Sequence, residues 1–336
     1  MVRRLVAIIP RDLPAVAAYS PFMNPDHRRN LCVILNRESG TLCTLGPDVV
    51  EAGLKEVFEE LGCTVEIQQV PGKEVRKALE KARDGGADAV IVGGGDGTVA
   101  TAATVFAGHE KPLGILPLGT FNLAARDVGM PLDWKEAARA LVTAPEGKMD
   151  LLDVAGNLYM CVVVLGFYPA LVMGRPEYHG SWIVKSCRTM WDALRSAATY
   201  PPLHLCLQEG DRIERHRTRI ALLANNDYED IFGIIPKRRS LDAGYFTVYI
   251  SKHQTRFGLL RSFVAWVMGR WKEDREIVVM HATDLEIRVT RKRRIPVMMD
   301  GELEKLPVPL RVKLVPKALL VIAPRLAEEV ESEPAS

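Results

Sequence analysis

Two rhythms of apolar positions divide this 336-residue chain. Between residues 31 and 146, short continuous apolar runs alternate with longer stretches of helical spacing. "LCVILN" (31–36) reads as a buried strand, and "GPDVVEAGLKEVFEELG" (46–62) as an amphipathic helix closed by a glycine. "CTVEIQQV" (63–70), "ADAVIVGGG" (87–95) and "PLGILPLGT" (112–120) continue the strands. "GKEVRKALEKARDGG" (72–86), "TVATAATVFAG" (98–108) and "DWKEAARALVTA" (133–144) continue the helices. Strands separated by helices need crossover connections, so this half predicts a mostly parallel sheet with ligands at the carboxyl ends of its strands.

After about residue 147 the rhythm shortens. "KMDLLDVAG", "NLYMCVVVLG", "LHLCLQEG", "RTRIALLANN", "GYFTVYISKH", "DLEIRVTRK", "IPVMMDGE", "VPLRVKLVP" and "ALLVIAP" are strand-like runs with turn signals between them, interrupted by helical stretches at 181–198 and 255–270. The expected architecture is an α/β N-terminal nucleotide-binding domain with a mostly parallel sheet, plus a mainly antiparallel β-sandwich-like C-terminal domain. The expected boundaries are an irregular extension over 1–29, domains over 30–146 and 147–325, and an acidic tail over 326–336.

Composition narrows the function. Hydrophobic residues make up 48% of the chain and charged residues 26%, enough apolar material for two cores. A net charge of +2 gives no field for nucleic acid, which is not expected as a partner. The six cysteines are dispersed, without C-x-x-C or metal-ligand spacing, and read as buried free thiols of a reducing compartment. The first apolar run is too short for a secretory signal, and no run approaches the roughly 18 apolar residues of a membrane span. A cytoplasmic protein is expected. The oligomeric state stays open, a homodimer included.

The candidate chemistry starts at "AVIVGGGDGTVATAATVF" (89–106). Glycines let backbone approach an anion closely, and the following helix N-terminus attracts negative charge. Asp96 inside such a cradle needs a neutraliser: a magnesium ion shared with phosphates, or a proton taken from an attacking hydroxyl. The plainer alternative is a tight turn with Asp96 as a helix cap. "MDGE" (299–302) offers a second acidic pair, Asp300 and Glu302, expected on one side of a strand-like segment; an ordinary Asp-Gly hairpin is the competing reading.

With these motifs in order, the sequence resembles the diacylglycerol kinase/sphingosine kinase catalytic family, in its bacterial lipid-kinase branch. "VILNRESG" (33–40), "GGDGT" (94–98), "LPLGTFNLAARDVGMP" (116–131) and "MDGE" carry the resemblance, with "LGFYP" (165–169), "NNDYE" (225–229) and "LDAGYFTVY" (241–249) at the expected intervals. It implies a two-domain kinase with ATP in the interdomain cleft, Mg²⁺ as cofactor, and transfer of the γ-phosphoryl group to a lipid hydroxyl, diacylglycerol-like or sphingoid-like. Carried onto this chain, the nucleotide site comprises Asn36, Ser39, Thr41, Gly94, Gly95, Asp96, Gly97, Thr98, Gly119, Thr120 and Asn122. Glu302 matches the proton acceptor of bacterial members, Asp96 an aspartate with a catalytic role, and Asp300 is grouped with them.

Three positions depart from the family pattern: Thr101 stands for an acid, Leu123 for Asp or His, and Ala243 for the second acid of an L-D-D-G metal turn. Asp242 is the remaining candidate metal ligand there. Two other readings stay open: a kinase of a soluble acceptor of the NAD-kinase kind, which shares the G-G-D-G-T element by resemblance, and a catalytically silent nucleotide- or lipid-binding regulator, which the three departures favour.

A lipid substrate implies contact with a membrane surface, expected to be peripheral. "SWIVKSCRTMWDALRSA" (181–197) and "TRFGLLRSFVAWVMGRWK" (255–272) mix bulky apolar residues with cations, as interfacial helices do. Helices packed on the β domain with solvated cations are the alternative.

Overall fold

The computed structural model describes residues 29–169, 200–229 and 238–326. The expected extension over 1–29, apart from residue 29, the helix over 181–198 and the expected acidic tail over 326–336, apart from residue 326, lie outside these residues.

The N-terminal half builds β1 (Asn30–Asn36), α1 (Gly40–Leu45), α2 (Pro47–Glu60), β2 (Thr64–Val70), α3 (Val75–Asp84), β3 (Ala89–Gly94), α4 (Asp96–Phe106), β4 (Leu113–Pro117), α5 (Leu123–Asp127) and α6 (Trp134–Thr143). Strands run parallel in the order β2-β1-β3-β4. All of β3 and β4 is buried, which is why both read as continuous apolar runs. The β2 strand is half-exposed and polar, as suits a sheet edge. Local signals set the helix ends. Pro47 opens α2, and the Asp133 carboxylate caps α6 by accepting the N–H groups of Lys135 and Glu136, both at 3.0 Å.

The second half adds β5 (Glu146–Val154), β6 (Asn157–Tyr159), β7 (Val162–Gly166), β8 (Leu203–Glu209), β9 (Arg212–Thr218), β10 (Ile220–Asn225), β11 (Phe246–Ser251), α7 (Arg256–Val267), β12 (Ile277–Ala282), β13 (Asp284–Val289), β14 (Arg294–Met299), β15 (Glu302–Pro307) and β16 (Leu310–Ile322). One antiparallel sheet runs β12-β11-β10-β7-β14-β15. It packs on β16-β13-β8-β9 through a core containing Leu205, Phe246, Ile287 and Val297. This is the expected sandwich.

The two runs "VPLRVKLVP" and "ALLVIAP" are a single strand, β16, with an irregularity between Val315 and Leu319. Before it, β16 pairs with β13 and β5; after it, β16 keeps β5 and lies parallel to β4, Val321 opposite Leu113. The last strand therefore sews the sandwich to the parallel sheet.

Candidate active site

The parallel order reverses at β1, which has β2 on one side and β3 on the other. Ligands of open α/β sheets bind in the crevice at such a switch, outside the carboxyl ends of the strands. Here the loops after β1 and β3 meet there. Asn36 Nδ2 donates to Thr98 Oγ1 at 2.9 Å, while Asn36 Oδ1 accepts the Glu38 N–H at 3.1 Å and its carbonyl the Ser39 N–H at 3.0 Å. Ser39 is buried, and its hydroxyl has no hydrogen-bond partner among the described residues. The α4 helix starts at Asp96 with Gly95 as N-cap and no capping side chain, leaving an uncapped helix N-terminus at the crevice.

A third loop closes on these two. Asn122, in the left-handed region at φ 53°, folds its amide back onto Gly119, accepting its N–H at 2.8 Å and donating to its carbonyl at 3.0 Å. Gly119 lies against Gly95 so closely that a methyl group on Gly119 would overlap the Gly95 Cα. The Thr41 N–H reaches the Leu118 carbonyl at 3.2 Å, and Thr120 stays exposed beside Gly40. Thus Asn36, Ser39, Thr41, Gly94 to Thr98, Gly119, Thr120 and Asn122 fall on three contiguous loops.

Asp96 does serve as a cap, but of a different helix from the one it opens. Its Oδ1 accepts the Leu123 N–H at 2.7 Å, the first N–H of α5. Burial pushes its carboxyl above the ordinary range, against the N–H groups of Leu123, Asn122 and Ala124. The bond to residue 123 is a backbone bond, so the leucine side chain does not affect it. At another departure, inside α4, the Thr101 hydroxyl donates back to the Gly97 carbonyl at 3.0 Å.

The β14–β15 turn brings the second acid across from the sandwich. Asp300 (φ 46°) and Gly301 (φ 88°) form a two-residue hairpin of the primed kind, with Met299 paired to Glu302. The two carboxylates were expected on one side of a strand. Instead, the left-handed backbone at Asp300 breaks strand alternation and sends its carboxylate to other partners. Asp300 is buried, accepting the N–H groups of Met160 (2.6 Å), Cys161 (2.9 Å) and Val162 (2.7 Å). Burial outweighs these bonds and pushes its carboxyl up to about 6. Glu302 reaches instead to the first turn of α4, where a Cβ on Gly97 would overlap its Oε1. Only a glycine at 97 leaves that space. Partial burial, then the neighbouring Glu304, raise the Glu302 carboxyl above its usual range.

The turn carrying Asp242 is held differently. Asp242 accepts from Ser240 Oγ at 3.3 Å and lies 3.5 Å from the Lys317 ammonium. The acid that organises this region is Asp150, fully buried, accepting the N–H groups of Gly244 and Lys317 (both 2.8 Å) and Asn226 Nδ2 (3.1 Å). Sequence reading passed over Asp150, although an acid inside the apolar run "KMDLLDV" is a usable signal. The described residues around Asp242 do not fit a metal: an ammonium stands against its carboxylate, and no group of three or more His, Cys, Asp or Glu that could hold an ion occurs among the described residues. Not all cysteines follow the expectation either. Cys32, Cys63 and Cys161 are buried, Cys206 is partly exposed and Cys43 exposed.

The fold and site define a two-domain protein, with a glycine-rich loop and a helix N-terminus at the switch point of an α/β sheet and a carboxylate brought over them from a β-sandwich. Comparison with known proteins places it further. The diacylglycerol kinase catalytic domain matches residues 30–154, and the YegS C-terminal NAD kinase beta sandwich-like domain matches residues 170–323. The chain thus carries a diacylglycerol kinase catalytic domain followed by a YegS-type C-terminal domain. It is 29% identical over 271 residues to a diacylglycerol kinase of Mycobacterium tuberculosis, covering 78% of this chain and 85% of that protein. It is 35% identical over 122 residues to a Pseudomonas aeruginosa protein named "Probable lipid kinase YegS-like", covering 32% of this chain and 40% of the other. The fold is shared with a crystal structure of a diacylglycerol kinase from Bacillus anthracis strain Sterne: TM-score 0.61, 17% identity, 88% of this chain and 97% of the other.

Proposed function

We propose that this protein is an ATP-dependent lipid kinase that transfers the γ-phosphoryl group to a lipid hydroxyl. The observation that carries this reading is the placement of the Glu302 carboxylate directly over Gly97, in the first turn of the helix that follows the glycine loop. The backbone N–H groups of that loop and the Ser39 hydroxyl receive the nucleotide phosphates, with Thr120 and Asn122 on the facing loop. The acceptor hydroxyl oxygen forms a bond to the γ-phosphorus as the bond to the β,γ-bridging oxygen breaks. Its proton passes to Glu302, whose raised affinity for a proton suits that task. Asp96 fixes the approach of α5 to the glycine loop. Magnesium, arriving with ATP, would neutralise phosphate charge. Asp300 shapes the turn, its oxygens already occupied by backbone donors.

The acceptor is reached at a bilayer surface, and α7 is the element suited to it. Leu259 is buried, and Trp266 packs on Tyr228 and Trp271 with ring centroids 6.1 and 5.6 Å apart. The opposite stripe is apolar yet open to solvent: Phe257 is 75% exposed, Val264 51% and Met268 52%. Arg261 on the same helix and Arg270 just past its end are exposed, paired with Asp274 (3.6 Å) and Glu273 (2.8 Å). Among the described residues no helix is long and apolar enough to cross a membrane. An in-plane helix on an anionic, cytoplasm-facing leaflet is the arrangement this stripe supports.

The test is transfer of labelled γ-phosphate from Mg·ATP into a lipid extract and, separately, into soluble alcohols including NAD, by wild type and Glu302→Ala. Labelled lipid formed by wild type and lost in the variant supports the reading. Labelled soluble acceptor alone, or no transfer at all, overturns it.

A further inference from the structure

Asp96, which holds α5 to the glycine loop, and Glu302, the proposed proton acceptor, sit on different domains, so their separation depends on whatever fixes one domain against the other. A buried ion pair lies on a continuous bonded route between them. Arg238, fully buried, donates from Nη2 to Asp127 Oδ2 at 2.6 Å and to the Met160 carbonyl at 2.5 Å. Asp127 is the last residue of α5, whose first N–H is bonded to Asp96. Met160 begins the stretch whose N–H groups hold Asp300, and the Asp300 N–H returns to the Val162 carbonyl at 3.0 Å. Glu302 follows two residues later. The route therefore runs from Asp96 through α5, Asp127, Arg238, Met160 and Asp300 to Glu302.

The pair is poorly built for stability alone. The Nε and Nη1 groups of Arg238 are buried without a hydrogen-bond partner among the described residues. A buried pair left part-satisfied is commonly replaceable by apolar side chains of similar volume at no cost in stability. What apolar side chains cannot supply is direction: one guanidinium nitrogen bonded both to the end of α5 and to the strand connection that carries the catalytic turn.

We propose that Asp127 and Arg238 are positioning residues for phosphoryl transfer, pinning the Asp96 loop and the Glu302 turn at their working separation. This rests on the roles assigned to Asp96 and Glu302 above. Arg238 also affects the turn electrostatically. Asp300 is faced by Tyr159, Cys161 and Arg238, with Glu302 and Glu304 acting on the same Tyr159 hydroxyl. Burial pushes Tyr159 up to about 12 and Cys161 well above its usual range, so the guanidinium is the charge that favours ionised Asp300.

The experiment compares the full chain with the double variant Asp127→Leu/Arg238→Met and the single variant Arg238→Lys. The readouts are kcat, KM for Mg·ATP, the pH profile of kcat and the melting temperature. Misplacement by about 1 Å can cost roughly 100-fold in rate. The expected result for the double variant is an unchanged melting temperature, a KM within about threefold, and a kcat down about 100-fold. The acid limb of its profile moves to higher pH. Arg238→Lys, which keeps the charge and one bond to Asp127, recovers part of kcat and most of the acid limb. A double variant that melts early still leaves Arg238→Lys to decide: wild-type kcat and acid limb there overturn the proposal. So does a stable double variant with wild-type kcat. If wild type transfers phosphate to no acceptor, the functional reading itself fails and the pin with it; if wild type is active and the variants match it, only the pin fails.

Discussion

The Asn36 amide donates to the Thr98 hydroxyl at 2.9 Å, joining the loops that leave β1 and β3 on either side of the sheet's switch point. Thr98 lies in the first turn of α4, so the bond fixes the helix N-terminus against the loop that presents Ser39. Replacing Asn36 by alanine removes that bond and the turn bond to the Glu38 N–H. A hydrogen bond of this kind contributes about 1 kcal/mol. The expected outcome is a KM for ATP raised about five- to tenfold, with kcat little changed. Steady-state kinetics with ATP varied would check it. An unchanged KM would show that the two loops hold their spacing without Asn36.

Gly97 is the position where the two domains touch over the site. A methyl group there meets the carboxylate end of Glu302, a flexible side chain that can move away, so Gly97→Ala should fold normally. The displaced carboxylate can no longer take the acceptor's proton at the right place. Kcat should fall about 100-fold while equilibrium binding of ATP persists. Calorimetry of nucleotide binding beside turnover separates these two effects, and a variant with wild-type kcat would remove Glu302 from the mechanism.

How far the sequence foretold this arrangement depends on the physics behind each element. Buried parallel strands such as "ADAVIVGGG" declare themselves because both faces need apolar side chains. The polar strand β9, "RIERHRT", and the strand β12, "IVVMHA", were not foreseen: the first lies at an exposed edge and the second has little turn punctuation. The site loops were legible through glycine and asparagine, whose backbone and side-chain demands are local. Asp300 was placed on the wrong side because its conformation is left-handed, and alternation holds only within a strand. Asp127, Arg238 and Asp150 could not be ranked at all. Their side-chain bonds described above reach partners 76 to 167 residues away along the chain, and no local spacing records such a pairing.

Asp300 also sets a pH dependence of stability with an unusual sign. Its carboxyl is raised from 3.8 to about 6, so the folded protein holds its proton more tightly than the unfolded chain does. Folding therefore gains from this group below about pH 4, and that gain is lost as pH rises through about 6. The shift corresponds to about 3 kcal/mol. Asp300→Asn cannot titrate. The difference in unfolding free energy between wild type and this variant should therefore shrink by about that amount from pH 4 to pH 7. Urea unfolding across this range checks it, and a constant difference would mean that Asp300 has no raised carboxyl.

Chelation should separate the chemistry from the fold. The Asp242 carboxylate is matched by the Lys317 ammonium, and Asp150 is satisfied by two backbone N–H groups and the Asn226 amide. Nothing in that turn needs a divalent ion to balance charge. Excess EDTA should abolish phosphoryl transfer, because ATP loses its magnesium, yet shift the melting temperature by less than about 1 °C, since a ligand stabilises only the fold it binds. A large loss of thermal stability on chelation, restored by magnesium, would reveal a structural ion that this reading excludes.

The exposed stripe of α7 should govern access to substrate without touching chemistry. Burying a phenylalanine or valine in a bilayer interface contributes on the order of 1.5–3 kcal/mol, so Phe257→Ser with Val264→Ser should weaken binding to vesicles containing anionic lipid by tenfold or more. Both side chains point away from Leu259 and the Trp266–Trp271 packing, so the fold should be preserved. Turnover of a short-chain, water-soluble acceptor should stay at the wild-type rate, whereas turnover of the same headgroup in vesicles should fall with binding. Added salt should weaken wild-type binding if Arg261 and Arg270 exchange their Asp274 and Glu273 partners for anionic headgroups, and leave it unchanged if those pairs persist. Vesicle flotation and the two activity assays read these effects separately. Equal loss on both acceptors would place the stripe in the fold or the site, and no loss on vesicles would assign membrane contact to another surface.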